Sequence, residues 1–160
     1  MEIKKLVERQ RAYFATGATL SYGKRMDTLR RIRWALNKYE PELKQALYRD
    51  LHKSPSESYM AEIAMTKAEL NYCIRHLGEW MCREEIKTGP ANFHAKSFTT
   101  AEPYGVTLVM APWNYPVLLC LEPLINAAAA GNCVVLKPSA YAPEVSRVLR
   151  NMIAACFAPE

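Results

Sequence analysis

Val106-Thr107-Leu108-Val109-Met110-Ala111-Pro112-Trp113-Asn114-Tyr115-Pro116 and, after an apolar interval, Cys133-Val134-Val135-Leu136-Lys137-Pro138-Ser139-Ala140 are the stretches that decide the fold. Each opens on a short apolar run, partly β-branched and bounded by Gly or Pro, and so predicts a buried strand. The interval between them is long enough for a crossover helix. Strand, helix, strand in that order predicts a parallel pair with a right-handed connection. Ligands of such sheets gather at the carboxyl ends of the strands. The two polar residues that stand out, Asn114 and Lys137, fall just past those ends, among neighbours that are nearly all apolar or small.

Outward from this centre, Pro123 interrupts the connecting segment, and an interior proline costs a helix ~3 kcal/mol. The expectation is therefore a loose turn from Pro116 and a regular helix from Glu122-Pro123 through Ala127–Ala130, stopped at Gly131-Asn132. Pro143-Glu144 opens a last helix that buries Val145, Val148, Leu149, Met152 and Ile153. Upstream, residues 1–16 read as a short helix, followed by a loop at Gly17 and Ser21-Tyr22-Gly23. Leu29, Ile32 and Leu36 have helical spacing, and Glu40-Pro41 predicts the start of a separate helix that runs to Leu51. After a break at 52–56, the longest helix is expected over roughly 56–84, on the series Tyr59, Ile63, Leu70, Ile74, Leu77, Met81. This series reads as core packing. Thr88-Gly89-Pro90 closes the helical half, and residues 93–101 read as an extended arm or strand. His94, on that arm, has nothing nearby to orient it and reads as a surface residue.

Half of the 160 residues are hydrophobic, enough for a core. The apolar region 117–136 is broken by Glu122, Pro123, Asn126 and Asn132, so it reads as core and no membrane span is expected. Met1 is followed by charged residues, with no early apolar run of a secretory signal. The five cysteines form no Cys-x-x-Cys pair, and none has a His at metal-ligand spacing, so a reduced, cytoplasmic compartment and no metal site are expected. Residues 1–90 hold 17 of the 21 Lys and Arg and 12 of the 16 Asp and Glu, while residues 91–160 hold four of each. The excess positive charge thus lies in the helical half. Arg30, Arg31 and Arg33 beside Trp34 form a basic cluster, but acids intersperse it and no nucleic-acid motif accompanies it, so no nucleic-acid partner is expected.

Asn114 lies between Pro112 and Pro116, which restrict the backbone on both sides. An amide NH2 held on such a loop is a good donor to negative charge developing on a substrate oxygen. A turn Asn bonding its own backbone is the plainer alternative. Lys137 ends the second strand, where a Lys can donate to a ribose hydroxyl or neutralise a phosphate. A solvated strand-end Lys is its plainer alternative. Gly-x-Gly-x-x-Gly is absent, so no standard pyrophosphate cradle is claimed.

Three separated motifs carry a resemblance: Glu102-Pro103-Tyr104-Gly105-Val106, then Ala111-Pro112-Trp113-Asn114-Tyr115-Pro116, then Ala130-Gly131-Asn132-Cys133-Val134-Val135-Leu136-Lys137-Pro138-Ser139. Together with the Asp50-Leu51-His52-Lys53 turn they resemble the aldehyde dehydrogenase superfamily, most nearly its class 3, fatty-aldehyde-type branch, over essentially the whole chain. The resemblance implies an α/β chain comprising the N-terminal portion of that fold. Residues 1–90 would form a helical region packed on the cofactor domain. Residues 91–102 would be an extended arm. Residues 103–160 would be the first strand-helix-strand-helix of a Rossmann-like NAD(P)-binding domain. It implies oxidation of an aldehyde to a carboxylic acid with NAD or NADP, through a Cys thiolate that attacks the aldehyde. Asn114 matches the oxyanion-stabilising Asn, and Lys137 the Lys that contacts the adenosine ribose. Pro112 and Trp113 match residues that flank the cofactor mostly through their backbone, and Ser139 and position 140 fall in the same cofactor-binding motif as Lys137.

The motif ending Lys137-Pro138-Ser139 usually continues in Glu, which bonds the ribose 2′-hydroxyl. Here the residue is Ala140, and the expectation is weaker NAD preference and better tolerance of NADP. The nucleophilic Cys, the general base and the oligomerisation tail would lie in later segments, so the 160-residue chain alone is expected to be inactive. A homodimer is expected of an intact relative. The reading from a different class is a short non-catalytic nucleotide-binding or interaction module derived from the same family.

Overall fold

The computed structural model describes residues 2–157. Of the expected first helix, Met1 lies outside them. Helix α1 spans Ile3–Ala15. Helix α2 spans Tyr22–Leu51 and is the longest element, 30 residues. A short helix α3, Pro55–Ser58, continues through a π-helical turn, Tyr59–Ile63, into α4, Ala64–Trp80. Strands β1 (Glu84–Ile86) and β2 (Ser97–Thr99) pair antiparallel. Then come β3 (Val106–Met110), α5 (Leu118–Ala129), β4 (Cys133–Lys137) and α6 (Pro143–Cys156). The chain is α/β, helices first and a βαβ unit after them.

β3 and β4 pair in parallel, with Val106 opposite Cys133 and Met110 opposite Lys137. Helix α2 is the spine: it packs on α4, α5 and α6, while α5 packs on both strands. The core runs from Leu29, Ile32, Leu36, Leu43 and Leu47 of α2 to Leu70 and Leu77 of α4, Leu121 and Ile125 of α5, and Leu149 and Met152 of α6. Among the described residues, no helix is long and apolar enough to cross a membrane.

Helix α2 starts at Tyr22, inside the loop expected at Ser21-Tyr22-Gly23; β3, expected as a buried strand, exposes Leu108 and Met110; and Ile153 is half-buried rather than buried. Three further sequence expectations are corrected. No second helix begins at Pro41: α2 runs through it. Pro41 and Asn37, whose carbonyl loses its bond, both lie on the exposed side, so the freed carbonyl is open to solvent. The buried stripe meanwhile continues unbroken across the proline, from Leu29 to Leu47. Second, α5 does not wait for Pro123 but starts at Leu118. Its first N–H groups are satisfied by a carboxylate from elsewhere, described below, so the helix is fixed before it meets the proline.

Third, the helix expected over 56–84 ends at Trp80, and 84–86 is a strand. Arg83, just before β1, lies over the ring of Phe98 of β2 at 4.4 Å. The π turn accounts for the apolar series within this helix. It inserts one extra residue, a rotation of about 100°. Tyr59 turns outward to 40% exposure, while Ser58 and Glu62 are buried.

Gly131, in the turn after α5, has φ of +91°, and a Cβ there would fall 2.7 Å from the Arg25 guanidinium. Arg25 is buried and donates to the carbonyls of Thr19 (3.2 Å) and Ala129 (3.5 Å), a cation at the carboxyl end of α5. Asn132 ties the start of β3 to the same turn. Its Oδ1 accepts from Gly105 N at 2.9 Å, and its Nδ2 donates to Ala127 O at 3.1 Å.

Candidate active-site edge at the strand ends

The carboxyl ends of β3 and β4 lie side by side, joined by Ala111 N donating to Lys137 O at 3.1 Å. The loop after β3 begins and ends in the core, at Ala111 and Pro116, and exposes Pro112, Trp113, Asn114 and Tyr115 between. Pro112, Trp113, Asn114 and Lys137 thus meet at one edge. The Asn114 side chain makes no hydrogen bond among the described residues. The Lys137 ammonium is exposed and likewise without a partner among the described residues.

Ser139 is placed differently. It is buried, its Oγ accepts from Tyr141 N at 3.2 Å, and its carbonyl accepts from Ser146 Oγ at 2.9 Å. It shapes the turn into α6. Ala140 beside it is exposed.

Three residues to which the sequence reading gives no site role hold this edge in place: Glu62, and Lys53 and Asp50 of the Asp50-Leu51-His52-Lys53 turn. Glu62 is fully buried on the π turn. Its Oε2 accepts from Val117 N at 2.8 Å and Leu118 N at 3.2 Å, capping the start of α5. Its Oε1 accepts from Lys53 Nζ at 2.6 Å. Lys53, whose side chain is 11% exposed, also donates to Asn114 O at 2.8 Å and lies 4.1 Å from the Tyr115 ring centroid. Asp50 does for α6 what Glu62 does for α5, accepting from Glu144 N at 3.2 Å and Val145 N at 2.9 Å.

The cysteines carry a different message. Burial pushes the thiols of Cys73 and Cys120 up to about 12 and that of Cys156 up to about 11, and it raises Cys133 as well. A nucleophilic Cys needs the opposite shift. These four are core thiols.

A sequence profile described as the aldehyde dehydrogenase family matches residues 1–160. The chain belongs to the aldehyde dehydrogenase family. It is 42% identical over 147 residues to aldehyde dehydrogenase family 3 member I1, chloroplastic, of Arabidopsis thaliana, covering 92% of this chain and 27% of that protein. The structure of the substrate-bound state of Staphylococcus aureus AldH superposes with a TM-score of 0.96 at 35% identity, covering 99% of this chain and 35% of that one. The P. syringae indole-3-acetaldehyde dehydrogenase AldA, in complex with NAD+ and IAA, superposes with a TM-score of 0.81 at 28% identity, over 96% of this chain and 31% of that one. The class 3 likeness is thus shown, and homologous aldehyde dehydrogenase structures bind a nicotinamide dinucleotide. The chain spans about a third of the length of the relatives it matches.

Within this aldehyde dehydrogenase portion, one signal could have revealed Glu62 beforehand. It sits at helical spacing with Thr66, Leu70, Cys73 and Leu77, a charged residue on a buried stripe. A carboxylate there must meet a partner. Nothing local names Lys53 and the α5 amides as that partner.

Proposed function

We propose that this chain supplies the N-terminal part of an NAD(P)-dependent aldehyde dehydrogenase, with Asn114 as a donor to the oxyanion. The observation that carries the reading is the unbonded Asn114 amide on a clamped loop, next to the Lys137 end of β4. A preorganised donor stabilises charge on a substrate oxygen without reorganising when that charge forms. Here the backbone that carries the donor is held, and the side-chain amide is unbonded within the described residues and so available to a substrate oxygen.

The residues present fit part of a nicotinamide dinucleotide site. Lys137 offers a free ammonium to ribose hydroxyls, and the exposed Pro112-Trp113 backbone flanks the same edge. The Ser139 hydroxyl accepts from Tyr141 N and shapes the loop, and its own O–H remains a donor for the dinucleotide at the same edge. Ala140 is exposed and carries no carboxylate to repel a 2′-phosphate, which favours tolerance of NADP. When bound, the dinucleotide supplies the hydride acceptor. What this chain's residues do is orient it at Lys137 and donate to the substrate oxygen at Asn114.

The raised thiols of the core cysteines support the reading that the 160-residue chain by itself does not oxidise aldehydes. The class 3 likeness supports a homodimer for the intact enzyme, and five free cysteines support a cytoplasmic setting.

The test is aldehyde-dependent reduction of NAD or NADP by the native gene product, and the same assay on Lys137→Met. The expected result is activity whose KM for the dinucleotide rises about 10-fold in the variant, the scale of one charge-assisted hydrogen bond, with kcat changed little. No dinucleotide-linked aldehyde oxidation, or an unchanged KM, would overturn the reading.

A further inference from the structure

The geometry points to Lys53 and Glu62 as positioning residues that set the direction of the Asn114 amide through its backbone, an inference that rests on the reading of Asn114 given above. Lys53 reaches the loop from the turn after α2, and Glu62 from the π turn. The ammonium has three donors. One goes to Glu62 Oε1 and one to Asn114 O, and the third side faces the Tyr115 ring. Glu62 divides its oxygens in the same way. Oε1 holds the lysine, while Oε2 holds the N–H groups of Val117 and Leu118, immediately after the loop. The loop is therefore gripped at its carbonyl and at its exit by one connected unit.

The clamp fixes the peptide that follows Asn114 and with it the position of the Cα–Cβ bond, so the arc that the side-chain amide sweeps about χ1 and χ2 starts from a fixed point. Stability alone does not explain the arrangement. A buried ion pair is weak evidence for stability, since well-packed apolar residues serve as well or better. What apolar residues cannot do is fix a carbonyl oxygen. The π turn, which departs from helical geometry to bring Glu62 inward, is a feature that recurs at functional sites.

A misplacement on the order of 1 Å at a reacting group can cost about 100-fold in rate. In the native gene product, Lys53→Met keeps the aliphatic stem and removes the ammonium. It is expected to lower kcat by about 10- to 100-fold, with KM for aldehyde and dinucleotide each within about threefold. Lys53→Arg, which keeps a donor, is expected to recover part of the loss. The discriminating readout is the double variant. In an Asn114→Ala background, Lys53→Met is expected to reduce kcat no further, because Lys53 acts only through Asn114.

Two measurements do not depend on activity. By NMR, Lys53→Met is expected to raise the mobility of the Asn114 side-chain amide while the core amides of α2 keep their order. Tyr115→Leu, which removes only the ring face, is expected to give a smaller change of the same kind. Losses that multiply in the double variant, or an Asn114 amide unmoved in both single variants, would overturn the proposal. If Asn114→Ala leaves kcat intact while Lys53→Met frees the amide, the clamp stands and the oxyanion reading fails. If Lys53→Met does not fold, Tyr115→Leu with an unmoved amide is the overturning result.

Discussion

At position 140 a single side chain bears on cofactor choice. A glutamate there would accept from a ribose 2′-hydroxyl and repel a 2′-phosphate, and Ala140 does neither. Ala140→Glu is expected to raise the ratio of kcat/KM for NAD to that for NADP by about 10-fold, the scale of one charge-assisted hydrogen bond. Equal changes for both dinucleotides would contradict it. The position is exposed, so the substitution leaves the core untouched. Asn114 and Lys137 stood out in the sequence as polar residues at the ends of two apolar runs, while their roles and the interest of Ala140 came from the family resemblance. The roles of Lys53, in the quoted Asp50-Leu51-His52-Lys53 turn, and of Glu62, on a buried stripe, were not legible, although both residues hold Asn114's loop. Their partners lie 61 and 55 residues away, and only the fold brings them together. Gly131 was legible as a helix stop. Its second role, leaving room for the Arg25 guanidinium, belongs to packing.

Two of the elements that departed from expectation, α2 and α5, share one cause: a proline or helix start whose backbone cost is met from outside the segment. Two buried or half-buried carboxylates, Glu62 and Asp50, cap α5 and α6 from the helical region. The same carboxylates join that region to the βαβ unit. The strand pair β3–β4 and its crossover were readable from periodicity and turn residues, since those signals are local. The continuity of α2 was not, because Pro41 is a strong local stop signal and its tolerance depends on which side of the helix faces water. Just before it, Glu40 links α2 to α4, accepting from Lys44 and from Lys67, the latter at 2.6 Å. Those hydrogen bonds hold its carboxyl below the ordinary 4.5. A depressed folded-state value means that the tie stabilises fully above about pH 4.5 and is lost as pH falls through the lower folded value. Glu40→Gln is therefore expected to lower the melting temperature at neutral pH and to flatten its acid decline. Parallel pH–melting curves for the two proteins would contradict this.

For the molecule as a whole, the core accounts for the thiols and the sheet accounts for the surface. Four cysteines are buried and Cys82 is exposed, so titration of the native chain with a thiol reagent is expected to show one fast group, with the rest reacting only on unfolding. Several fast thiols would mean that the core is open. The two-stranded parallel sheet leaves Leu108 and Met110 at 62% and 64% exposure, where parallel sheets are normally covered on both faces. That is in keeping with a chain spanning about a third of its relatives. The account's central claim is that the strand-end loop presents an oxyanion donor. The most direct test is the steady-state kinetics of Asn114→Ala in the native gene product. The account predicts a fall in kcat of about 100- to 1,000-fold, as for loss of one oxyanion-hole donor, with dinucleotide affinity unchanged. A variant that keeps its kcat would contradict it.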